Sequence, residues 1–192
     1  NQMTQLLALL AEREGVSYLR STRAVLPVIY EAGDQFSIGG SQVVCASEHD
    51  DVTIVGAGIT LHEAMKAAEL LQQDGLRARV VDCYSIKPID TATLCAAARA
   101  TGGRLVTVED HWPQGGLGDA VLEVFADLDE RPRVTKLAVS NMPGAGTQDQ
   151  LLAAAGINAE HIATAARRLC RSVARRDTPG WLTSGWDRLG VD

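Results

Sequence analysis

From residue 52 onward the chain alternates short apolar runs with stretches long enough to form helices. This rhythm limits the fold more than any other feature. Val52-Thr53-Ile54-Val55 reads as a buried strand. A helix is expected over 60–74, stopped by Gly75, and a second strand over Ala78–Cys83. A helix over 90–101 ends at Gly102-Gly103, and Leu105–Val108 is the third strand. A helix near 116–127, a strand over Val134–Val139 and helices near 148–155 and 159–175 complete the series. Strands that are apolar on both faces and alternate with helices imply βαβ units around a mostly parallel sheet. The crossovers should then be right-handed. Ser41–Ala46 reads as a further short strand at a sheet edge. Thr60-Leu61-His62-Glu63 and Thr147-Gln148-Asp149-Gln150 have the spacing of capping boxes, and Asn158 suits an N-cap.

The opening of the chain follows a different pattern. Residues 4–14 have helical spacing up to Gly15, and Val16–Arg20 reads as a short strand. A helix and a strand are half of a βαβ unit, and a lone strand cannot pair its own edges. Residues 1–26 are therefore expected to be the remnant of another domain. Residues 27–40, broken by Pro27, Gly33, Gly39 and Gly40, read as a linker, with a main domain over 41–170 and a tail over 171–192. Trp181 and Trp186 lie on that tail and are expected to dock on a protein surface.

Composition narrows the function. The chain has 192 residues, 46% of them hydrophobic, which is enough for a full core. A net charge of −6 argues against a general nucleic-acid or membrane-surface binder. No apolar run approaches the roughly 20 residues of a membrane span. Asn1-Gln2-Met3-Thr4 lacks the basic region of a secretory signal. Cys45, Cys83, Cys95 and Cys170 have no C-x-x-C spacing, as expected of free thiols in a reducing cytoplasm.

The segment Val108-Glu109-Asp110-His111-Trp112-Pro113-Gln114-Gly115-Gly116-Leu117-Gly118-Asp119-Ala120 is the main candidate site. Glu109, Asp110 and His111 end a strand where open α/β sheets bind ligands, which suits general acid–base work. The same side chains could instead satisfy turn amides and a helix N-terminus. Gly56-Ala57-Gly58 is half of a dinucleotide fingerprint with Leu61 at the third glycine position and Asp82 as the acidic partner; a tight turn is the alternative. His62 and Glu63 are helix neighbours about 100° apart, which disfavours an acid–base pair. Arg167, Arg168, Arg171, Arg175 and Arg176 form a basic stripe suited to a solvated helix end.

Several segments together resemble the transketolase family. The Glu109–Ala120 stretch is similar to the family's "EDH-aromatic-x-x-GG-[LI]-G-[ED]-A", and Tyr18-Leu19-Arg20-Ser21-Thr22-Arg23 to its "[FY]-[IL]-R-T-[ST]-R". Pro27–Tyr30, Asp51–Ala64 and Tyr84–Asp90 extend the resemblance over roughly residues 1–170. The arginine segment separates this family from deoxyxylulose-phosphate synthases and 2-oxoacid dehydrogenase β-subunits. The resemblance implies a three-layer α/β/α sandwich with a mixed, mostly parallel five-stranded sheet whose 41–46 strand is the antiparallel edge. It implies part of a homodimeric enzyme that moves a two-carbon ketol unit between sugar phosphates with thiamine diphosphate and a divalent metal, Mg or Ca. The metal-and-diphosphate domain and most of the pyrimidine-binding domain would lie outside this chain. No catalytic, cofactor or metal residue is then expected here, and the chain alone should be inactive. The alternative is a free-standing interaction module or small subunit that docks on a partner carrying the thiamine-diphosphate site. By analogy Arg23, rather than Arg20, contacts the substrate phosphate. Met142-Pro143-Gly144-Ala145-Gly146 departs from the family's "V-P-R-S-G", losing an arginine and a hydroxyl.

Overall fold

Five strands form one sheet: β1 (Gln42–Cys45), β2 (Val52–Gly56), β3 (Ala78–Asp82), β4 (Arg104–Val108) and β5 (Arg133–Leu137). Their order is β1-β3-β2-β4-β5, and every pair is parallel except β1 with β3. The computed structural model describes residues 1–129 and 131–171. Among these residues six helices accompany the sheet: α1 (Gln2–Ala11), α2 (Ile59–Gln73), α3 (Thr91–Ala100), α4 (Leu117–Val124), α5 (Gln148–Ala154) and α6 (Ala159–Arg171). The mixed sheet with its antiparallel edge strand is the one expected from the sequence. Helix α6 is described to Arg171, and the expected extension to 175, with Arg175, Arg176, Trp181 and Trp186, lies outside the described residues.

Side-chain alternation on the central strands divides the core into two layers. Val52, Ile54, Val80, Val106 and Val108 face α2 and α6, meeting Leu71, Ile162 and Ala166. Val55, Val81 and Leu105 face α3 and α4, meeting Leu94, Val121 and Phe125. Burying both faces of the central strands explains their near-continuous apolar sequences. Even Thr53, wholly buried on β2, bonds to the Ala97 carbonyl at 3.0 Å and to the Thr101 hydroxyl.

Two cap expectations differ in outcome. Thr147 and Gln150 form the expected reciprocal capping box at α5. Thr60 does not cap α2. That helix begins one residue earlier, behind Gly58, and the Thr60 hydroxyl lies 2.9 Å from the carbonyls of Ala57 and Val108. Glu63 is thereby free to act elsewhere. One of its oxygens accepts from the Ala159 amide at 2.9 Å, the other from Lys66 Nζ at 2.7 Å. A carboxylate at the first residue of α6 meets the positive end of the helix dipole.

The strand expected over Val16–Arg20 is not formed. Val16 and Tyr18 are almost wholly exposed, and among the described residues no strand lies beside them to complete a ladder. Residues 12–41 carry neither helix nor strand. Among them Phe36 is buried, and Leu26 and Ile29 pack on the α2–α6 layer. Phe36 sits edge-on between Tyr30 and Tyr84, with ring centres at 4.8 and 5.6 Å.

Candidate functional site

The corner after β4 is fixed by backbone pairing before its side chains act. The Glu109 amide donates to Leu137 O at 3.0 Å, and the Val139 amide donates to His111 O at 3.0 Å. Residues 109–111 therefore run along the end of β5 and its continuation. The three ionisable side chains then take separate directions. Glu109 turns inward and is buried. Its Oε2 accepts from the Leu117 amide at 2.6 Å and its Oε1 from the Gly118 amide at 3.0 Å. These are the first two amides of α4, which no preceding helical turn can satisfy.

This close approach explains the glycines. A Cβ on Gly116 would overlap the Glu109 carboxylate, and one on Gly118 would lie 2.6 Å from Lys136 Cε and 3.0 Å from Glu109 Oε1. Lys136 ties the loop down from β5 by donating to Pro113 O at 2.5 Å and pairing with Asp119. Asp119 in turn accepts from the Gly115 amide at 2.7 Å. Burial raises the Glu109 pKa, against the amides of Gly118 and Leu117 and the nearby His111 and Lys136, which lower it. Both Glu109 oxygens are thus engaged in holding a helix start.

Asp110 points to the surface and meets the arginine segment. Arg20 Nη1 and Nη2 reach Asp110 Oδ1 and Oδ2 at 3.1 and 2.9 Å, and Nη2 also reaches the Asp110 carbonyl at 2.8 Å. This is a fork-on-fork pair. His111 is exposed, and its Nδ1 lies 2.8 Å from Trp112 O. A carbonyl only accepts, so Nδ1 carries the proton. Arg23 is exposed and has no hydrogen-bond or ion-pair partner among the described residues.

A second polar centre lies at the end of β3. Asp82 is 1% exposed. Its Oδ2 accepts from Gln2 Nε2 at 2.7 Å and from the Tyr30 hydroxyl at 2.6 Å, while its buried Oδ1 has no partner among the described residues. Burial pushes its pKa up despite those two donors. The Tyr30 phenol is raised as well, first by burial and then by the charge of Asp82. Asp82 is thus turned toward α1 and Tyr30, in a position where a dinucleotide reading would need it on a ribose. His62 is partly buried, with its pKa lowered by burial and by Lys66. Its neighbour Glu63 is committed to α6.

Among the described residues, no three His, Cys, Asp or Glu side chains converge where a metal ion could sit. On the basic stripe, Arg167 pairs with Asp74 at 2.5 Å, and Arg168 and Arg171 are exposed. Residues 141–146 are all exposed. The Arg20–Asp110 pair and the Asp82–Tyr30–Gln2 cluster were not foreseen from the sequence. For Asp82 there was a signal, since an acid ending a buried strand needs partners. For Arg20 and Asp110, 90 positions apart, there was none.

The comparisons with known proteins agree with one another. Residues 41–162 match the family described as "Transketolase, C-terminal domain". The chain is 42% identical over 161 residues to human transketolase, covering 84% of this chain and 26% of that protein. It is also 42% identical over 161 residues to bovine transketolase-like protein 1, covering 84% and 27%. The chain spans about a quarter of the length of these curated relatives. A solved split-gene transketolase, described as an inactive beta4 tetramer, superposes with a TM-score of 0.69 at 36% identity, over 78% of this chain and 47% of that one. Transketolase from Leishmania mexicana shares the fold at a TM-score of 0.55 and 20% identity, over 73% and 19%. A chain with this sheet, this β4–α4 corner and these relatives belongs to the transketolase family, and residues 41–162 are its transketolase C-terminal domain.

Proposed function

We propose that the chain is the C-terminal part of a thiamine-diphosphate-dependent transketolase, which transfers a two-carbon ketol unit between sugar phosphates. Thiamine diphosphate supplies the carbanion chemistry when bound, with its divalent metal, to domains outside residues 1–192. This chain contributes Arg23, whose guanidinium fork grips the substrate phosphate. One observation carries the reading: on the transketolase-type segment, Arg20 is taken up by Asp110 while Arg23 stands exposed and unpaired among the described residues.

The exposed apolar side chains of residues 1–28 support the domain assignment. Met3, Leu7, Val16, Tyr18, Leu19, Val25 and Val28 are all exposed, a density suited to a covering domain. We read residues 1–26 as the end of a pyrimidine-binding domain, 27–40 as a linker, 41–170 as the C-terminal domain and 171–192 as a tail. The purified chain should then show no ketol transfer and no heat of thiamine diphosphate binding. Robust turnover by this chain alone would sink the assignment.

A second reading is favoured by the split-gene relative at 36% identity. There the chain is a subunit that docks on a partner carrying the cofactor. A coding sequence that starts at this boundary supports the subunit; one that runs upstream into a pyrimidine-binding domain supports the larger enzyme. In either case we expect a homodimer in the cytoplasm. Light scattering over a dilution series tests the dimer, and a mass that stays monomeric at every concentration excludes it.

A further inference from the structure

We propose that Asp110 is a positioning residue that aims Arg23 at the substrate phosphate. The inference rests on the reading of Arg23 given above. Residues 14–29 have no helix or strand, and Arg20 makes all their hydrogen bonds to the rest of the chain among the described residues. The other anchors are apolar, Leu26 and Ile29 against the α2–α6 layer. Arg23 therefore lies on a short bridge between a polar tether at Arg20 and an apolar plug at Leu26. Asp110 is itself held rigidly, because its backbone lies between Glu109, bonded to Leu137, and His111, bonded to Val139.

The pair has two consequences for a phosphate. Three hydrogen bonds commit Nη1 and Nη2 of Arg20 to Asp110, which weakens its competition with Arg23 for the anion. The carboxylate also cancels the charge of Arg20, leaving Arg23 as the net cation of the segment. The side chains of Arg20 and Asp110 are 46% and 36% exposed, and an ion pair this open contributes little to folding. What it fixes is geometry, and a misplacement of about 1 Å can cost up to roughly a hundredfold in rate.

The test uses the assembled holoenzyme containing this chain. It compares kcat/KM for an aldose acceptor with and without its terminal phosphate. Arg23→Gln should abolish the preference for the phosphorylated acceptor. Asp110→Asn, which conserves volume, should reduce that preference on the order of tenfold through the KM of the phosphorylated acceptor. The exchange Arg20→Asp with Asp110→Arg should recover part of it. A merely structural fault lowers both acceptors together and leaves the ratio unchanged, and that result for Asp110→Asn overturns the proposal. If Arg23→Gln alters the ratio and Asp110→Asn does not, only the role of Asp110 is lost. If Arg23→Gln leaves the ratio intact, both it and the phosphate reading of Arg23 are lost. In the 192-residue chain, nitrogen-15 NMR should show hindered rotation of the Arg20 guanidinium that Asp110→Asn releases; free rotation in the unaltered chain also overturns the proposal.

Discussion

Residues 42–171 and residues 1–41 belong to one chain but are held by different forces. The first region buries the apolar faces of β2, β3 and β4 completely between two helical layers. Its buried polar groups, such as Glu63 and Glu109, are spent on helix starts. The second region buries little beyond Leu6 and Phe36 and depends on polar latches: Gln2 and Tyr30 on Asp82, Gln5 on Asp34 and Phe36, and Arg20 on Asp110. Apolar burial makes a region stable by itself. A few hydrogen bonds to a neighbouring surface place a segment without making it independently stable.

The largest expected effect tests the first region. Gly116→Ala forces a methyl group into the Glu109 carboxylate and should cost about 3 kcal/mol or more, read from the urea midpoint. A loss below about 1 kcal/mol would show that the corner can relax, and the close approach would lose its importance.

Next is Glu109→Gln, expected to cost about 1–3 kcal/mol because an amide N–H₂ must face a backbone N–H. The pH dependence has a definite sign. Burial makes the folded Glu109 hold its proton to higher pH than its ordinary value of 4.5. Its contribution is full below that ordinary value and is lost as pH rises through the raised folded pKa. The stability gap between the unaltered chain and Glu109→Gln should therefore narrow as pH rises from 4 to 7. A widening gap contradicts the raised pKa.

Asp82→Asn tests the latch that holds the second region and should cost about 1 kcal/mol, since an amide N–H₂ replaces an acceptor in a buried site. Ultraviolet titration gives an independent check. The Tyr30 phenol should ionise well above the ordinary tyrosine value of 10.0, and Asp82→Asn should bring it down. A Tyr30 phenol that ionises at the ordinary tyrosine value would remove the Asp82 latch.

The smallest effect on stability is expected from Asp110→Asn, below about 1 kcal/mol at the unfolding midpoint. Its local effect should be larger: trypsin should cut after Arg20 and Arg23 faster than in the unaltered chain. Equal cleavage rates would mean that the Arg20 pair does not hold the segment, and the contrast between the two regions would rest on apolar contacts alone.

What the sequence by itself determined is what local pattern encodes. Burial on both faces writes long apolar runs, so β2, β3 and β4 could be placed within a residue or two. Local caps were legible where both partners lie within one turn, as at Thr147 and Gln150. The fold class and the β4–α4 corner followed, and the family resemblance supplied the antiparallel β1. Only the tertiary structure decided where the polar side chains go. Glu63 had a good local partner in Thr60 on paper, yet it caps a helix 96 positions away. Val16–Arg20 has strand-forming residues, yet among the described residues no neighbouring strand supplies a ladder. Asp110 chooses Arg20 across 90 positions, and Asp82 chooses Gln2 and Tyr30 across 80 and 52. Apolar burial repeats with the period of the element that carries it, whereas a hydrogen bond between distant segments needs only two atoms at the right distance and leaves no period behind.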